Sequence, residues 1–318
     1  MEAELTKIIN DKKPDLSKLS VKTYANAINK VMTLVDTKDV RDLYLKHAEV
    51  MKTLKSKYDK PNTIKTKVAS IIVLLKCLDI PAKSKKALDQ ALAVYAKEVE
   101  GLSGDIRKDL KDGEKSEKMK TNWTSAEEND TLKTYLKSLV PESVKGVKDL
   151  AHFRNYVLYM LYEDVPTRNE LADAKIVFSS PKKNAELSDE WNYIVLDKRT
   201  KKATYIMNAY KTAKSYGSKT IPLGDALYPL LIDYKTAVDK YNGGQGWAFL
   251  NNAGTEKLSR NRLGVIYSGL GSHIGKKLGT SLNRHIAISR VVPLESMKNL
   301  ADKMGNSIQE QVEVYAKV

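Results

Sequence analysis

The chemistry that this sequence could support is concentrated in three side chains toward its C-terminal end. Arg284, Asn306 and Tyr315 supply a guanidinium, an amide and a phenol, in that order. A guanidinium and an amide can hold phosphate oxygens and a phenol can act as a nucleophile, so the group suits attack by tyrosine on a phosphodiester. Each residue alone is ordinary, because the chain has 17 tyrosines and a helical arginine usually makes a salt bridge. The hypothesis therefore depends on order and spacing.

Length and composition set the frame for these residues. A chain of 318 residues with 42% hydrophobic and 29% charged residues is typical of a soluble protein with two domains. The longest apolar run, 68–75, is too short to span a bilayer. Cys77 is the only cysteine, which excludes an intramolecular disulfide and a cysteine-based zinc site. Since the acidic N-terminus also lacks the layout of a signal peptide, we expect a reducing, intracellular environment.

The net charge is +15, and it is shared by both halves of the chain. Residues 1–120 carry 26 basic and 18 acidic side chains, and residues 121–318 carry 28 and 21. A polyanion that contacts both halves would favour this distribution, and nucleic acid is the first candidate. A lysine-rich genome would produce the same charge, so charge alone leaves the question open.

Residues 1–104 are predicted to form an all-helical bundle. Apolar residues recur at helical spacing in four segments, 20–34, 40–54, 61–75 and 84–99, with Ser20 predicted to cap the first. The basic segment 52–67 contains six lysines. They either contact successive phosphates of a nucleic acid or form a solvated helix face. Residues 105–121 are highly charged without apolar periodicity, and we interpret them as an interdomain linker.

Residues 122–318 are predicted to combine helices with a small sheet. Thr124 and Glu127 match a capping box that opens a helix, and a second helix at 150–162 has apolar residues nearly all round. Three strands are predicted at 193–197, 203–208 and 220–223, and residues 175–178 form an apolar extended segment. Helices are predicted again after residue 225. The fold class is therefore mainly α with a small antiparallel β-sheet, α+β.

Four short motifs, in this order, resemble those of the tyrosine recombinase/integrase family, especially its phage-integrase-like members. Residues 166–171, PTRNEL, resemble the first box, G-x-R-x-x-E-L, shortened by a residue. Residues 211–223 are similar to the K-T…S…T-I-P-L turn between two strands. Residues 281–285, SLNRH, resemble H-x-x-R-[HR], and residues 304–307, MGNS, resemble L-G-[HW]-S. Tyr315 follows the third box at the family's spacing for its nucleophile.

This resemblance implies a site-specific DNA recombinase or integrase that works through a 3′-phosphotyrosyl intermediate, without metal, ATP or another cofactor. Arg168 and Arg284 would hold the phosphate, Tyr315 would attack it, and Asn306 would donate a hydrogen bond to a phosphate oxygen. Lys211 would protonate the leaving 5′-oxygen. The family's layout also implies three parts: a helical DNA core-binding domain at 1–104, a charged linker at 105–121 and a catalytic domain at 122–318.

The chain departs from the family pattern at two positions. Ser281 and Asn306 stand where the family has imidazoles or an indole. A serine cannot replace an imidazole in proton transfer, and at a helix start it would most simply be an N-cap. His285 is one residue out of register. Lys214 and Lys219 are alternatives for the general acid because the length of the turn leaves the alignment open.

The resemblance also implies partners and a setting. The partner would be double-stranded DNA, bound by a homo-tetramer arranged as a dimer of dimers, with no membrane. The location would follow the target DNA, in a host nucleus, a cytoplasm or a viral factory, and the source would be a virus or mobile element. Two alternatives stay open: a type IB topoisomerase-like enzyme that nicks and reseals DNA, and a DNA-binding relative with impaired catalysis.

Overall fold

The computed structural model describes residues 1–111, 115–180, 186–290, 300–305, 307 and 310. The chain divides into two compact units, Met1–Asp112 and Gly113–Val318. None of the helices in the described ranges is both long and apolar enough to cross a membrane. The assignment of a role to each part of the chain stays a prediction.

The first unit is helical, as its apolar periodicity predicts. Its helices are α1 (Glu2–Lys12), α2 (Lys18–Leu34), α3 (Asp42–Leu45), α4 (His47–Lys57), α5 (Pro61–Leu75) and α6 (Ala82–Lys111). Helix α1 was not predicted, because it buries only Leu5 and Ile9 and so carries little apolar pattern. The cap of α2 is Ser17 rather than Ser20, since the Ser17 Oγ accepts a hydrogen bond from the Ser20 backbone N–H.

The predicted linker, 105–121, contains helical structure. Helix α6 continues to Lys111, and a short helix, α7 (Glu117–Asn122), begins after a cap by Ser116. Lysine and glutamate are good helix formers, so a charged composition without an apolar stripe does not prevent a helix. Its role as a linker stays a prediction.

The second unit packs helices against a sheet. The helices after α7 are α8 (Ala126–Ser138), α9 (Val147–Asp164), α10 (Ala213–Tyr216), α11 (Leu227–Val238), α12 (Arg260–Leu270) and α13 (Thr280–Ser289), with 3-10 helices at Asn169–Asp173 and Gly271–Ile274. Residues 300–304 are also helical. The capping box of α8 lies one residue later than predicted, because the Ser125 Oγ and the Glu128 carboxylate exchange hydrogen bonds with each other's backbone N–H.

The sheet has four strands in the order β1 (Ala174–Phe178), β2 (Asn192–Asp197), β3 (Lys202–Met207) and β4 (Lys219–Pro222). Strands β2, β3 and β4 are antiparallel neighbours, as predicted. Strand β1 runs parallel to β2, so the sheet is mixed. Residues 179–191 separate these two strands, and a connection of that length suits a parallel crossover rather than a hairpin. The predicted class, mainly helical with a small sheet, is confirmed.

Candidate active site

Arg168 lies where helix α9 gives way to the 3-10 helix. Val165 and Arg168 have extended backbone, the Thr167 N–H donates a 2.7 Å bond to the Val165 carbonyl oxygen between them, and the 3-10 helix begins after Arg168. The hydroxyl of Tyr162, a fully buried residue of α9, donates a 2.8 Å hydrogen bond to the Arg168 carbonyl oxygen. The backbone of the first box is therefore fixed from the core side.

Arg284 lies on helix α13 and is buried, with 6% of its surface exposed. Its Nη1 donates a 3.2 Å hydrogen bond to the carbonyl oxygen of Thr167. Thr167 is the residue directly before Arg168, although 117 positions separate it from Arg284 in the chain. The structure thus brings the second predicted box against the first.

Two asparagines strengthen this junction. The Asn169 Oδ1 accepts a 2.9 Å hydrogen bond from Thr280, the first residue of α13, and its Nδ2 donates a 3.0 Å bond to the Arg260 carbonyl oxygen at the start of α12. The Asn283 Nδ2 donates a 2.7 Å bond to the Tyr162 carbonyl oxygen. Asn169 and Asn283 lie within predicted boxes, but the motifs assign neither a role.

The predicted lysine turn connects β3 to β4 and contains helix α10. Lys211 and Lys214 are exposed. Lys219 lies on β4, its side chain is only 17% exposed, and it forms an ion pair with Asp302. Lys219 therefore differs from the other two candidate lysines, because its side chain is largely buried and already has an anionic partner.

The lysine turn packs against residues 300–305. The Thr212 hydroxyl donates a 2.9 Å hydrogen bond to the Gly305 carbonyl oxygen. Gly305 has a φ of +63°, and a Cβ at this position would lie 2.8 Å from the Tyr210 ring. The close approach of the third box to the turn consequently requires glycine.

Asn192, at the start of β2, joins the lysine turn to the first box. It is completely buried. Its Nδ2 donates 3.2 Å hydrogen bonds to the carbonyl oxygens of Glu170 and Ala209, and its Oδ1 accepts from the backbone N–H groups of Asn208 and Ala209 at 2.9 and 2.8 Å. No motif in the sequence marks this residue. The available signal was an amide at the edge of an otherwise apolar strand.

A charged group flanks the same junction. Asp173, at the end of the 3-10 helix, pairs with both Lys257 and Arg260. Burial opposes ionisation of this carboxyl, but hydrogen bonds from the two cations outweigh burial and hold the pKa of Asp173 below its usual value. The Arg260 Nη2 also donates a 3.3 Å bond to the Ala209 carbonyl oxygen. The pairing ties the start of α12 to the lysine turn.

Several tyrosines of this unit are unsuited to act as nucleophiles. Tyr162, Tyr205 and Tyr267 are each at most 1% exposed. Burial raises the pKa of all three phenols well above the ordinary value. Of the tyrosines in the described ranges, Tyr216 is the exposed one.

The remaining predicted site residues are Ser281, Asn306 and Tyr315. Ser281 is exposed and is not the N-cap of its helix, because α13 begins at Thr280 with Gly279 as its cap. Ser281 lines a cavity together with His285, one helical turn later. Asn306 and Tyr315 lie outside the described residues.

The first unit has a polar groove between α2 and α5. Asn26, Lys30, Asn62 and Thr66 are among the residues that line it. Lys67, the last of the six lysines in the basic segment 52–67, is 7% exposed and lies with its Nζ 4.8 Å from the centre of the Tyr58 ring. It lies on the buried face of α5 rather than on a solvated helix face.

The sequence matches no family model and no curated protein. Solved structures do resemble it. The XerH site-specific recombinase bound to difH substrate, a pre-cleavage complex, matches over 98% of this chain and 81% of that chain, with a TM-score of 0.58 and 13% identity. The XerA recombinase matches over 98% and 93%, with a TM-score of 0.41 and 12% identity. The likeness to XerH establishes that the chain shares the fold of a site-specific recombinase.

Proposed function

We propose that this protein is a tyrosine recombinase that cleaves and rejoins double-stranded DNA through a 3′-phosphotyrosyl intermediate. The observation that carries the proposal is the hydrogen bond from the Arg284 guanidinium to Thr167, next to Arg168. Two arginines far apart in the chain are needed at one phosphate, and the fold brings their segments into contact. The shared fold with XerH, whose crystal structure contains a DNA substrate, supports the same conclusion.

The two arginines would stabilise the transition state. Attack on a phosphodiester places additional negative charge on the non-bridging oxygens of phosphorus. A guanidinium stays charged near neutral pH and donates paired hydrogen bonds to such oxygens. Because Arg284 is buried and held by a backbone carbonyl, its charge is positioned before the substrate arrives.

Tyr315 would be the nucleophile and Lys211 the general acid. The Tyr315 oxygen forms a bond to phosphorus, the bond from phosphorus to the 5′-oxygen breaks, and Lys211 gives that oxygen a proton. A phenol has a pKa of about 10 in water, so nearby cations must favour the phenolate. Rejoining reverses these steps with the 5′-hydroxyl of the incoming strand.

Among the candidate lysines, we favour Lys211 as the acid. It matches the family motif, it is exposed, and its turn is joined to the first box by Asn192. Lys214 is exposed but lies within α10. Lys219 is paired with Asp302, so donating a proton there would leave that carboxylate without its counterion.

Asn306 and Ser281 would take the positions of the family's missing imidazoles. The Asn306 amide would donate to a phosphate oxygen, and the Ser281 hydroxyl could donate as well. Neither side chain transfers protons near neutral pH. We therefore expect slower chemistry than the full residue set would give.

The partner would be duplex DNA, with strand exchange by a homo-tetramer. Positive charge in both halves of the chain and the polar groove of the first unit support contact with DNA through both units. An origin in a virus or mobile element, and a location wherever the target DNA lies, stay predictions.

Covalent trapping tests the proposal. The protein is incubated with nicked suicide duplexes made from DNA that flanks its own gene, and the products are separated on a denaturing gel. We expect a covalent band with the wild type, none with Tyr315→Phe, and an unchanged band with Tyr216→Phe, the exposed tyrosine that serves as a matched control. Loss of the band with Tyr216→Phe but not with Tyr315→Phe would overturn the assignment of the nucleophile.

The same preparation separates the alternatives. Relaxation of supercoiled plasmid without joining of two sites would indicate a topoisomerase-like enzyme. DNA binding without a covalent band from any of these proteins would indicate the catalytically impaired relative.

A further inference from the structure

We propose that Asn192 is a positioning residue that holds the general-acid lysine in place against the phosphate-binding arginines. This inference rests on the proposed function. Asn192 touches neither Arg168 nor Lys211 through any of the hydrogen bonds described above. It binds the backbone near each of them, at Glu170 on one side and at Asn208 and Ala209 on the other.

The side chain of Asn192 uses its full bonding capacity. A carboxamide has two N–H donors and an oxygen that accepts two hydrogen bonds, and all four are occupied here. The residue is completely buried, so water cannot replace a lost partner. An aspartate of the same shape would lose both donors and would place its oxygens against two carbonyl oxygens.

The two ends of this bridge differ in how much they depend on it. The first box has other anchors, since Tyr162 binds the Arg168 carbonyl and Arg284 binds the Thr167 carbonyl. The turn receives three of the four Asn192 bonds, at Asn208 and at Ala209, two residues before Lys211. Arg260 adds a longer 3.3 Å bond to Ala209, and the Thr212–Gly305 bond holds the turn on the other side of Lys211. Loss of Asn192 should therefore disturb the lysine more than the arginines.

This asymmetry predicts a specific chemical defect. A misplaced general acid slows departure of the 5′-oxygen, which needs a proton. A sulfur in the bridging 5′ position leaves as a thiolate without a proton, because thiols ionise at a pKa of about 8.5. A defect confined to the acid should thus disappear on a 5′-bridging phosphorothioate substrate, whereas a defect in stabilising the phosphorane charge should persist.

The experiment compares single-turnover cleavage of ordinary and 5′-sulfur suicide duplexes. Asn192→Asp and the gentler Asn192→Ser are measured in parallel with wild type. For the Asn192 variants, we expect the rate of cleavage of ordinary DNA to fall by about tenfold to a hundredfold. Their rate of cleavage of the sulfur substrate should stay within about threefold of the wild-type rate. Lys211→Ala should show the same recovery, and Arg284→Ala should not.

Asn242 supplies a matched control. It is also a buried asparagine, 5% exposed, and its carboxamide bridges backbone groups, but both of its bonds go to Trp247 in its own loop. Asn242→Asp should not slow cleavage of ordinary DNA more than cleavage of the 5′-sulfur substrate. If the Asn192 variants are slowed equally on both substrates, Asn192 does not act through the acid and the inference is wrong. If wild type forms no covalent product with either substrate, the proposed function itself fails.

Discussion

At the scale of single residues, side-chain hydrogen bonds to the backbone join the segments that carry Arg168, Lys211 and Arg284. Arg284 reaches the carbonyl of Thr167, Tyr162 reaches that of Arg168, and Asn192 reaches Glu170 and Ala209. These bonds hold the backbone of the first box against α9, α13 and the lysine turn, and so they set where the candidate side chains begin.

The lysines of the turn provide a prediction at this scale. Lys211→Gln should lower the rate of cleavage by about a hundredfold or more, because general acids contribute about that much. Lys219→Gln should cost at most about 1 kcal/mol of stability, since its partner Asp302 is 75% exposed. It should leave the cleavage rate nearly unchanged. Single-turnover cleavage and thermal unfolding of both variants check this expectation.

The opposite ranking of the two lysines would be informative. A large loss of cleavage with Lys219→Gln, together with normal cleavage by Lys211→Gln, would move the general acid to β4. The ion pair with Asp302 would then have to open during catalysis.

At the scale of elements, the lysine turn and residues 300–305 behave as one packed unit. The Thr212–Gly305 hydrogen bond and the Lys219–Asp302 ion pair join them. The chain between residue 305 and Tyr315 is short, so the segment that holds the turn also leads to the proposed nucleophile.

Gly305 is the residue most sensitive to change in this contact. Gly305→Ala should destabilise the second unit by about 1–3 kcal/mol, because it forces a positive φ on alanine and places a Cβ 2.8 Å from the Tyr210 ring. Urea unfolding measures the change. Gly269→Ala, on helix α12 with no atom within 4 Å of its added Cβ, should instead be neutral or stabilising by up to about 1 kcal/mol. Equal effects of the two substitutions would contradict the proposed packing constraint.

At the scale of the whole molecule, the excess of positive charge includes a distinct surface group beside the site. The Lys175 Nζ lies 4.9 Å from the Trp247 ring centre and 5.5 Å from that of Trp191, and the Lys257 Nζ lies 4.9 and 5.2 Å from the same rings. Asp173 forms an ion pair with Lys257. Among the described residues, Lys175 forms no ion pair. The indole rings hold both ammonium groups in place without removing their charge, and under the proposed function we expect these lysines to contact the DNA backbone.

This group predicts how DNA affinity should depend on salt. Lys175→Gln should weaken binding and reduce the slope of log affinity against log salt by about 0.9, the value for one lost phosphate contact. Lys148→Gln is the control, because Lys148 is exposed at the opposite end of α9 from Arg168, about 24 Å along the helix. Filter binding or fluorescence anisotropy across a salt series gives both slopes. An unchanged slope with Lys175→Gln would exclude this lysine from the DNA contact.

The sequence by itself was sufficient for the fold class, most helices and three of the four strands. These depend on local periodicity and on turn residues, which a single chain displays directly. It was also sufficient to nominate Arg168, Lys211 and Arg284, because motif order survives even where overall similarity does not. The shifts at Ser17 and Ser125 are errors of a few residues in choosing among neighbouring capping side chains.

Only the tertiary structure decided which distant segments meet. Packing pairs β1 with β2 in parallel and brings Arg284 to the carbonyl of Thr167. It also buries Lys67 and pairs Lys219 with Asp302. Asn192 shows the reason most clearly. Its four hydrogen bonds go to backbone groups of three residues, at positions 170, 208 and 209. No local pattern shows that a buried amide will find its hydrogen bonds in two other segments.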